Sequence, residues 1–222
     1  MCQRLSERGL IAGQDGNVSA RAGRDRILVT PSGMSKADVR RADLVELGID
    51  GSVSRGAIGK RTASSEVLMH LRIYERRPDV CAVVHAHPPV ATGFGVAGES
   101  FMTDVLPELI LLTGPVPLVP YAMPGTLALS DALEPYLAAH DTFLLANHGA
   151  TAVGPNLVVA CQRMESLEHA ATIMLTARLL GRVNTLSTAD AAALHVARTR
   201  ARGAALTAVP RRPARAGSRR DR

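Results

Sequence analysis

The chain has 222 residues, 46% of them hydrophobic, enough to bury one substantial core. No run approaches the roughly 20 apolar residues that span a bilayer, and the first residues lack a secretory pattern, so neither membrane insertion nor export is expected. The formal charge of +6 suggests a nucleic-acid partner, but removing the nine arginines and the one acid of residues 198–222 from 26 basic and 20 acidic residues leaves 17 against 19. The basicity thus belongs to a tail with no aromatic side chain for base stacking, and nucleic acid is not an expected partner. A folded domain over 1–197 and a disordered basic tail over 198–222 follow from this distribution. Cys2, Cys81 and Cys161 are few, widely spaced and odd in number, as in a reduced, cytoplasmic protein.

A short helix is predicted from Gln3 to Arg8, followed by a glycine-rich loop from Gly9 to Asn17. Ser19 to Arg21 and Arg26 to Thr30 read as a strand pair around the turn Gly23-Arg24-Asp25. Pro31-Ser32-Gly33 breaks the chain, and a further strand is predicted within Ala42 to Gly48. Ser64-Ser65-Glu66 opens a helix to about Arg77, with Leu68, Leu71 and Tyr74 or Val67 expected on its buried stripe. More strands are predicted near Val80–His85, Val116–Pro120 and Thr142–Ala146. Helices are predicted near Pro88–Gly95, Ser130–Ala139 and Asn156–Leu180. The alternation describes an α/β chain with one covered sheet.

The chemistry concentrates in three histidines. His85-Ala86-His87 ends an apolar, β-branched run, and residues i and i+2 of a strand project to one face. His148 follows a second apolar run, Phe143-Leu144-Leu145-Ala146, and supplies a third nitrogen if the two strands are neighbours. Three imidazoles with an open fourth position describe a catalytic zinc site, not a closed structural one. Glu66 suits a helix N-terminus by charge, and Ser64 or Ser65 suits the cap. His70 shares a face with Glu66, yet a packed or hydrogen-bonded core histidine is the simpler reading. Gly16-Asn17-Val18-Ser19 and Thr30-Pro31-Ser32-Gly33 offer the backbone N–H groups and hydroxyls that a phosphate requires, although turns use the same residues.

Taken in order, Gly16-Asn17-Val18-Ser19, Thr30-Pro31-Ser32-Gly33, Ser64-Ser65-Glu66, His85-Ala86-His87-Pro88 and Asn147-His148-Gly149 resemble the class II aldolase/adducin family, of the L-fuculose-phosphate aldolase type. The resemblance covers residues 3–185. It implies a three-layer α/β/α sandwich around a mixed, mostly antiparallel sheet. It also implies a homotetramer with active sites at subunit interfaces. By the same resemblance His85, His87 and His148 bind Zn2+, one ion per subunit, although imidazole-rich sites also accept Mn2+ or Co2+. Glu66 is the carboxylate beside the metal that moves the proton. Gly16, Asn17, Ser32, Gly33, Ser64 and Ser65 hold the phosphate of a phosphorylated sugar.

The activity so implied is zinc-dependent retro-aldol cleavage of a ketose phosphate, L-fuculose-1-phosphate-like, to dihydroxyacetone phosphate and an aldehyde through a metal-stabilised enediolate. The same chemistry serves decarboxylases, dehydratases and 4-epimerases of related sugar phosphates. The epimerases carry aspartate where this chain has Glu66, which favours the aldolase. Against this, the aldolase uses a tyrosine in the segment after the paired histidines, whereas this chain has Leu106 there and no tyrosine between His87 and Pro120. Glu108 is either its substitute or a solvated loop glutamate. The chain also starts near the end of the family's first helix, so either that helix is shortened or the given start is late.

Overall fold

A computed structural model describes residues 1–52 and 61–207. Its centre is a seven-stranded sheet in the order β3-β2-β1-β4-β7-β6-β5. The strands are β1 (Asn17–Arg21), β2 (Arg26–Val29), β3 (Val45–Gly48), β4 (Ala82–Ala86), β5 (Leu118–Val119), β6 (Thr142–Leu145) and β7 (Gly149–Gly154). Every pairing is antiparallel except β5 with β6, so the sheet is mixed and mostly antiparallel, as expected.

Strict alternation along the strands builds two cores. Val18, Val84, Ala86, Leu144 and Ala150 face one layer, made by Leu5 of α1 (Cys2–Glu7), Ala91 and Phe94 of α3 (Pro89–Val96), Leu109 of α4 (Pro107–Leu112) and the apolar stripe of α6 (Leu157–Leu179). Ile27, Val29, Val83, Phe143 and Val153 face the other layer, where α2 (Val67–Arg76) supplies Met69, Ile73 and Tyr74, and α5 (Leu127–Leu133) supplies Leu129 and Leu133. The result is an α/β/α sandwich. Among the described residues no helix is long and apolar enough to cross a membrane. Cys2, Cys81 and Cys161 are free thiols.

Several elements differ from expectation. The buried stripe of α2 is Met69, His70, Ile73 and Tyr74, while Leu68 and Leu71 are only half-buried. The helix is rotated by its polar interior: His70 Nδ1 lies 2.6 Å from Ser19 Oγ, which lies 2.8 Å from the Tyr74 hydroxyl. Helix α5 begins at Leu127 and gives way to a 3-10 turn over Glu134–Tyr136, where Pro135 has no N–H to continue the α-helix. A strand over 116–120 shrinks to Leu118–Val119. Helix α4 has no counterpart among the predicted elements.

The largest correction is at the C-terminal side. Helix α7 (Thr188–Thr207) runs through the expected boundary at 197 and 198, so the first residues of the anticipated tail are ordered helix. Alanine at 191, 192, 193, 197 and 201 favours the helix intrinsically. Arg198 then anchors it, donating from Nη2 to the Thr113 carbonyl at 3.0 Å and to Asp141 Oδ2 at 2.7 Å. Residues 208–222 lie outside the described part of the chain.

Candidate active site

The three histidines meet because of register. Asn17 of β1 pairs with His85 of β4, His85 pairs with Thr151 of β7, and Thr151 pairs with Phe143 of β6. Residues opposite one another in antiparallel strands share a face, so Asn17, His85 and Thr151 form one row at the edge of the α2 layer. His87 follows the last residue of β4, its N–H donating to the Leu10 carbonyl at 3.0 Å. His148 ends the three-residue turn between β6 and β7, in which Asn147 adopts a left-handed φ of 53° that asparagine tolerates better than most residues. A Cβ on Gly149 would lie 2.6 Å from both the Ala86 carbonyl oxygen and His87 Cδ2, so glycine is what allows the His87 ring against β7.

The imidazoles converge. Ring centroids are separated by 5.0 Å for His85 and His87, 4.7 Å for His85 and His148, and 5.2 Å for His87 and His148. One nitrogen from each lies within 4.8 Å of the others. Glu66 completes the group, with Oε2 3.3 Å from His85 Nε2 and Oε1 3.0 Å from His148 Nε2. It stands at the N-cap position of α2 but makes no capping bond with its side chain. Instead Asn17 Nδ2 donates to Glu66 Oε2 at 2.8 Å and turns the carboxylate toward the histidines.

The protonation pattern suits a cation. His85 Nδ1 donates to the Ala150 carbonyl at 2.9 Å, because a carbonyl can only accept. Its Nε2 faces Glu66 Oε2 and lies only 3.2 Å from His87 Nε2. Holding one ring nitrogen on a carbonyl while the other points into the site is the usual arrangement of a metal-ligating histidine. Burial, reinforced by His85 and His148, pushes His87 down to about 4, so it is a neutral ligand at neutral pH. Burial alone would raise Glu66, but its contacts with His148 and His85 outweigh that and hold the carboxyl well below the usual range. Glu66 Oε1 and His148 Nδ1 are buried without a well-directed hydrogen bond. The donor set fits a divalent ion.

Above the histidines lies a cleft of about 250 Å³. Gly16, Asn17, Ser32, Gly33, Ser64, Ser65, Glu66, His87 and His148 all line it, so the structure brings the expected phosphate-site residues together beside the metal candidates. His85 lies beneath, fully buried. His70 is buried in the Ser19–Tyr74 network, as its simpler reading anticipated, and burial first of all depresses it to about 3. Glu108 is exposed on α4 and does not line the cleft of its own chain.

Sequence reasoning missed Lys36. This lysine is almost fully buried, and its Nζ donates to the carbonyls of Gln14 at 2.7 Å and Met34 at 3.1 Å, clipping together the two loops that wall the cleft. The signal was present: Lys36 is one of two lysines in a chain of 26 basic residues, so its choice over arginine is specific.

The chain matches the Class II Aldolase and Adducin N-terminal domain over residues 1–175. It is 31% identical over 172 residues to 3-oxo-tetronate 4-phosphate decarboxylase of Pectobacterium atrosepticum, covering 76% of this chain and 77% of that one. It is 33% identical over 181 residues to 5-deoxy-D-ribulose 1-phosphate aldolase of Bacillus thuringiensis, covering 81% and 83%. A solved structure of L-fuculose 1-phosphate aldolase superposes with a TM-score of 0.80 at 30% identity, over 88% of this chain and 91% of its own. The chain belongs to the class II aldolase and adducin family. It is an enzyme of that family, whose aldolases are metal-dependent lyases.

Proposed function

We propose that the chain breaks a carbon–carbon bond of a phosphorylated sugar by retro-aldol cleavage, releasing dihydroxyacetone phosphate and an aldehyde. The observation that carries this reading is the placement of Glu66 against His85 and His148 at the floor of a cleft walled by hydroxyls and glycines. His85, His87 and His148 would hold the ion, taken as zinc. Bound there, it supplies the Lewis acidity that stabilises negative charge on the substrate oxygens as the bond breaks.

The remaining work falls to the chain's own side chains. Ser32, Ser64 and Ser65, with Asn17 and the backbone at Gly16 and Gly33, hold the phosphate and fix the distance from it to the reacting carbon. Lys36 keeps both loops in place. Glu66, kept ionised at rest by its neighbours, removes the proton from the donor carbon in the direction of bond formation; in cleavage it first takes up the proton that the substrate hydroxyl loses as the bond breaks and then delivers it to the enediolate carbon. Asn17 orients that carboxylate.

A specific observation favours a second reading, decarboxylation of a 3-oxo-tetronate phosphate. No tyrosine lies between His87 and Pro120 to protonate a departing aldehyde oxygen, and Glu108 is outside the cleft of its own chain. Carbon dioxide leaves without needing such an acid. A homotetramer with shared active sites is supported by Tyr121, Met123 and Leu127, which are exposed on either side of the cleft residue Pro124. A cytoplasmic location is supported by the three free cysteines.

Proton exchange separates these readings. Zinc-loaded protein with dihydroxyacetone phosphate in D2O should exchange one C3 proton, and Glu66→Gln should slow that exchange about 10²–10⁴-fold while keeping its metal. No exchange by metal-replete protein, with carbon dioxide released from the 3-oxo acid phosphate, would replace the aldolase with the decarboxylase. Full activity of Glu66→Gln would remove Glu66 from either mechanism.

A further inference from the structure

The end of the sheet opposite the histidines gathers four guanidinium groups around one carboxylate. Asp141, just before β6 and 1% exposed, has Arg77 Nη2 at 2.8 Å and Arg202 Nη2 at 3.3 Å from Oδ1. Its Oδ2 has Arg198 Nη2 at 2.7 Å and Arg163 Nη2 at 3.1 Å. Each oxygen thus faces two cations and has no lone pair to spare.

The other acid of the cluster, Asp79, is taken by Arg77, which reaches it with Nε and Nη2, both at 2.7 Å. Arg77 directs Nη1 to the carbonyls of Leu137 and His140 and has no donor left. Arg163, Arg198 and Arg202 therefore share the single charge of Asp141. Four arginines against two aspartates leave the cluster with an excess of two positive charges.

Donors remain as well as charge. Nε and Nη1 of Arg198 and of Arg202 make no hydrogen bond among the described residues. Arg198 is also fixed in place, since a Cβ on Gly114 would come within 2.5 Å of its Cζ. Burial, together with the neighbouring guanidiniums, depresses both Arg163 and Arg198 despite the pull of Asp141. Uncompensated buried charge of this kind is costly and calls for a counter-ion.

Beside these groups is a cavity of about 240 Å³ lined by all four arginines, by Asp79 and Asp141, and by apolar groups that include Leu111, Pro155 and Val159, so its charged lining carries the same excess of two positive charges. We propose that this cavity is a second anion site, which takes a phosphoryl dianion: free orthophosphate or the phosphate of a small ester. Two negative charges match the excess, and several oxygens match the forked donors of arginine. A monocarboxylate would neutralise only half of it. Because Arg198 and Arg202 lie on α7 and Arg163 on α6, the bound anion would pin α7 to the end of the sheet.

The test uses full-length, metal-replete protein, with orthophosphate and glycerol phosphate as probes, in calorimetric titration and thermal melting. Ser65→Ala weakens the phosphate site assigned to the catalytic cleft. That variant should still bind a phosphate probe and melt higher in its presence. Arg202→Gln, at a partly exposed position where folding is not at issue, should weaken that binding about tenfold or more and leave turnover unchanged. Orthophosphate binding as tightly as the ester identifies the free ion; a clear preference for glycerol phosphate identifies an ester whose carbons meet the apolar wall. Unchanged affinity in both Arg202→Gln and Arg198→Lys, or no binding to the Ser65→Ala protein, overturns the site. Failure of the catalytic reading would show separately, as phosphate binding that Ser65→Ala does not alter in a chain that catalyses no proton exchange.

Discussion

The two ends of the central sheet carry opposite imbalances. At the β1–β4–β7 end, three imidazoles and a carboxylate turn ring nitrogens and carboxylate oxygens toward one another, with contacts of 3.0 to 3.3 Å. At the far end, four guanidiniums crowd two carboxylates, with more N–H groups than acceptors. One end offers donor atoms suited to a cation and the other N–H groups suited to an anion. Between them Val83, Val84, Ala150 and Val153 are buried on alternate faces and balance nothing but volume. The middle of each strand fills the core, which leaves the strand ends to carry the charged groups.

That contrast is open to direct attack. Asp141→Asn should be the most damaging change to stability, about 3–5 kcal/mol, because it leaves the arginines without their shared partner. Urea unfolding measures it, and a loss below about 1 kcal/mol would show that solvent already neutralises the cluster. His87→Ala acts at the other end: metal content should fall from about one ion per chain to near zero, with turnover following, by elemental analysis. A variant that keeps a full complement of metal would take His87 out of the ligand set.

Gly149→Ala is milder. Its methyl would press on the His87 ring and should weaken metal binding about 10–100-fold while far-ultraviolet dichroism stays unchanged. Wild-type affinity would mean that the ring yields without cost. The smallest effect is one of pH. In the metal-free chain His70 is depressed to about 3 and His87 to about 4 from an ordinary 6.5. Below pH 6.5 the unfolded chain binds protons that the folded chain refuses, so stability should fall as pH drops from 6.5 to 4.5. A flat profile of urea midpoints across that window would contradict both depressions.

Much of the site was legible because its signals are local. The i, i+2 spacing of His85 and His87 survives even though β4 stops at Ala86, and the glycine-hydroxyl tetrapeptides announce their loops. The cross-strand row Asn17–His85–Thr151 was not legible, since register appears only when distant strands pair. Glu66 was ambiguous for a related reason: a carboxylate before a helix looks like a cap until histidines from β4 and the β6–β7 turn arrive beside it. Helix α4 was missed because Leu-Ile-Leu-Leu has no periodicity over six residues. The second half of helix α7 reads as tail because arginine counts are blind to partners: Arg198 is ordered by Asp141, 57 residues earlier.

The depth of His85 sets a sequence of events. This residue has no exposed surface, while His87 and His148 border the cleft above it. An ion held by all three histidines would meet the outer pair before His85 Nε2 on arriving from solvent, and would part from His85 first on leaving. Loading and stripping would then be staged, with the inner histidine as a latch on the residence time of the metal. A brief rinse with chelator reads the speed of that latch, and only prolonged dialysis reads the affinity of the site.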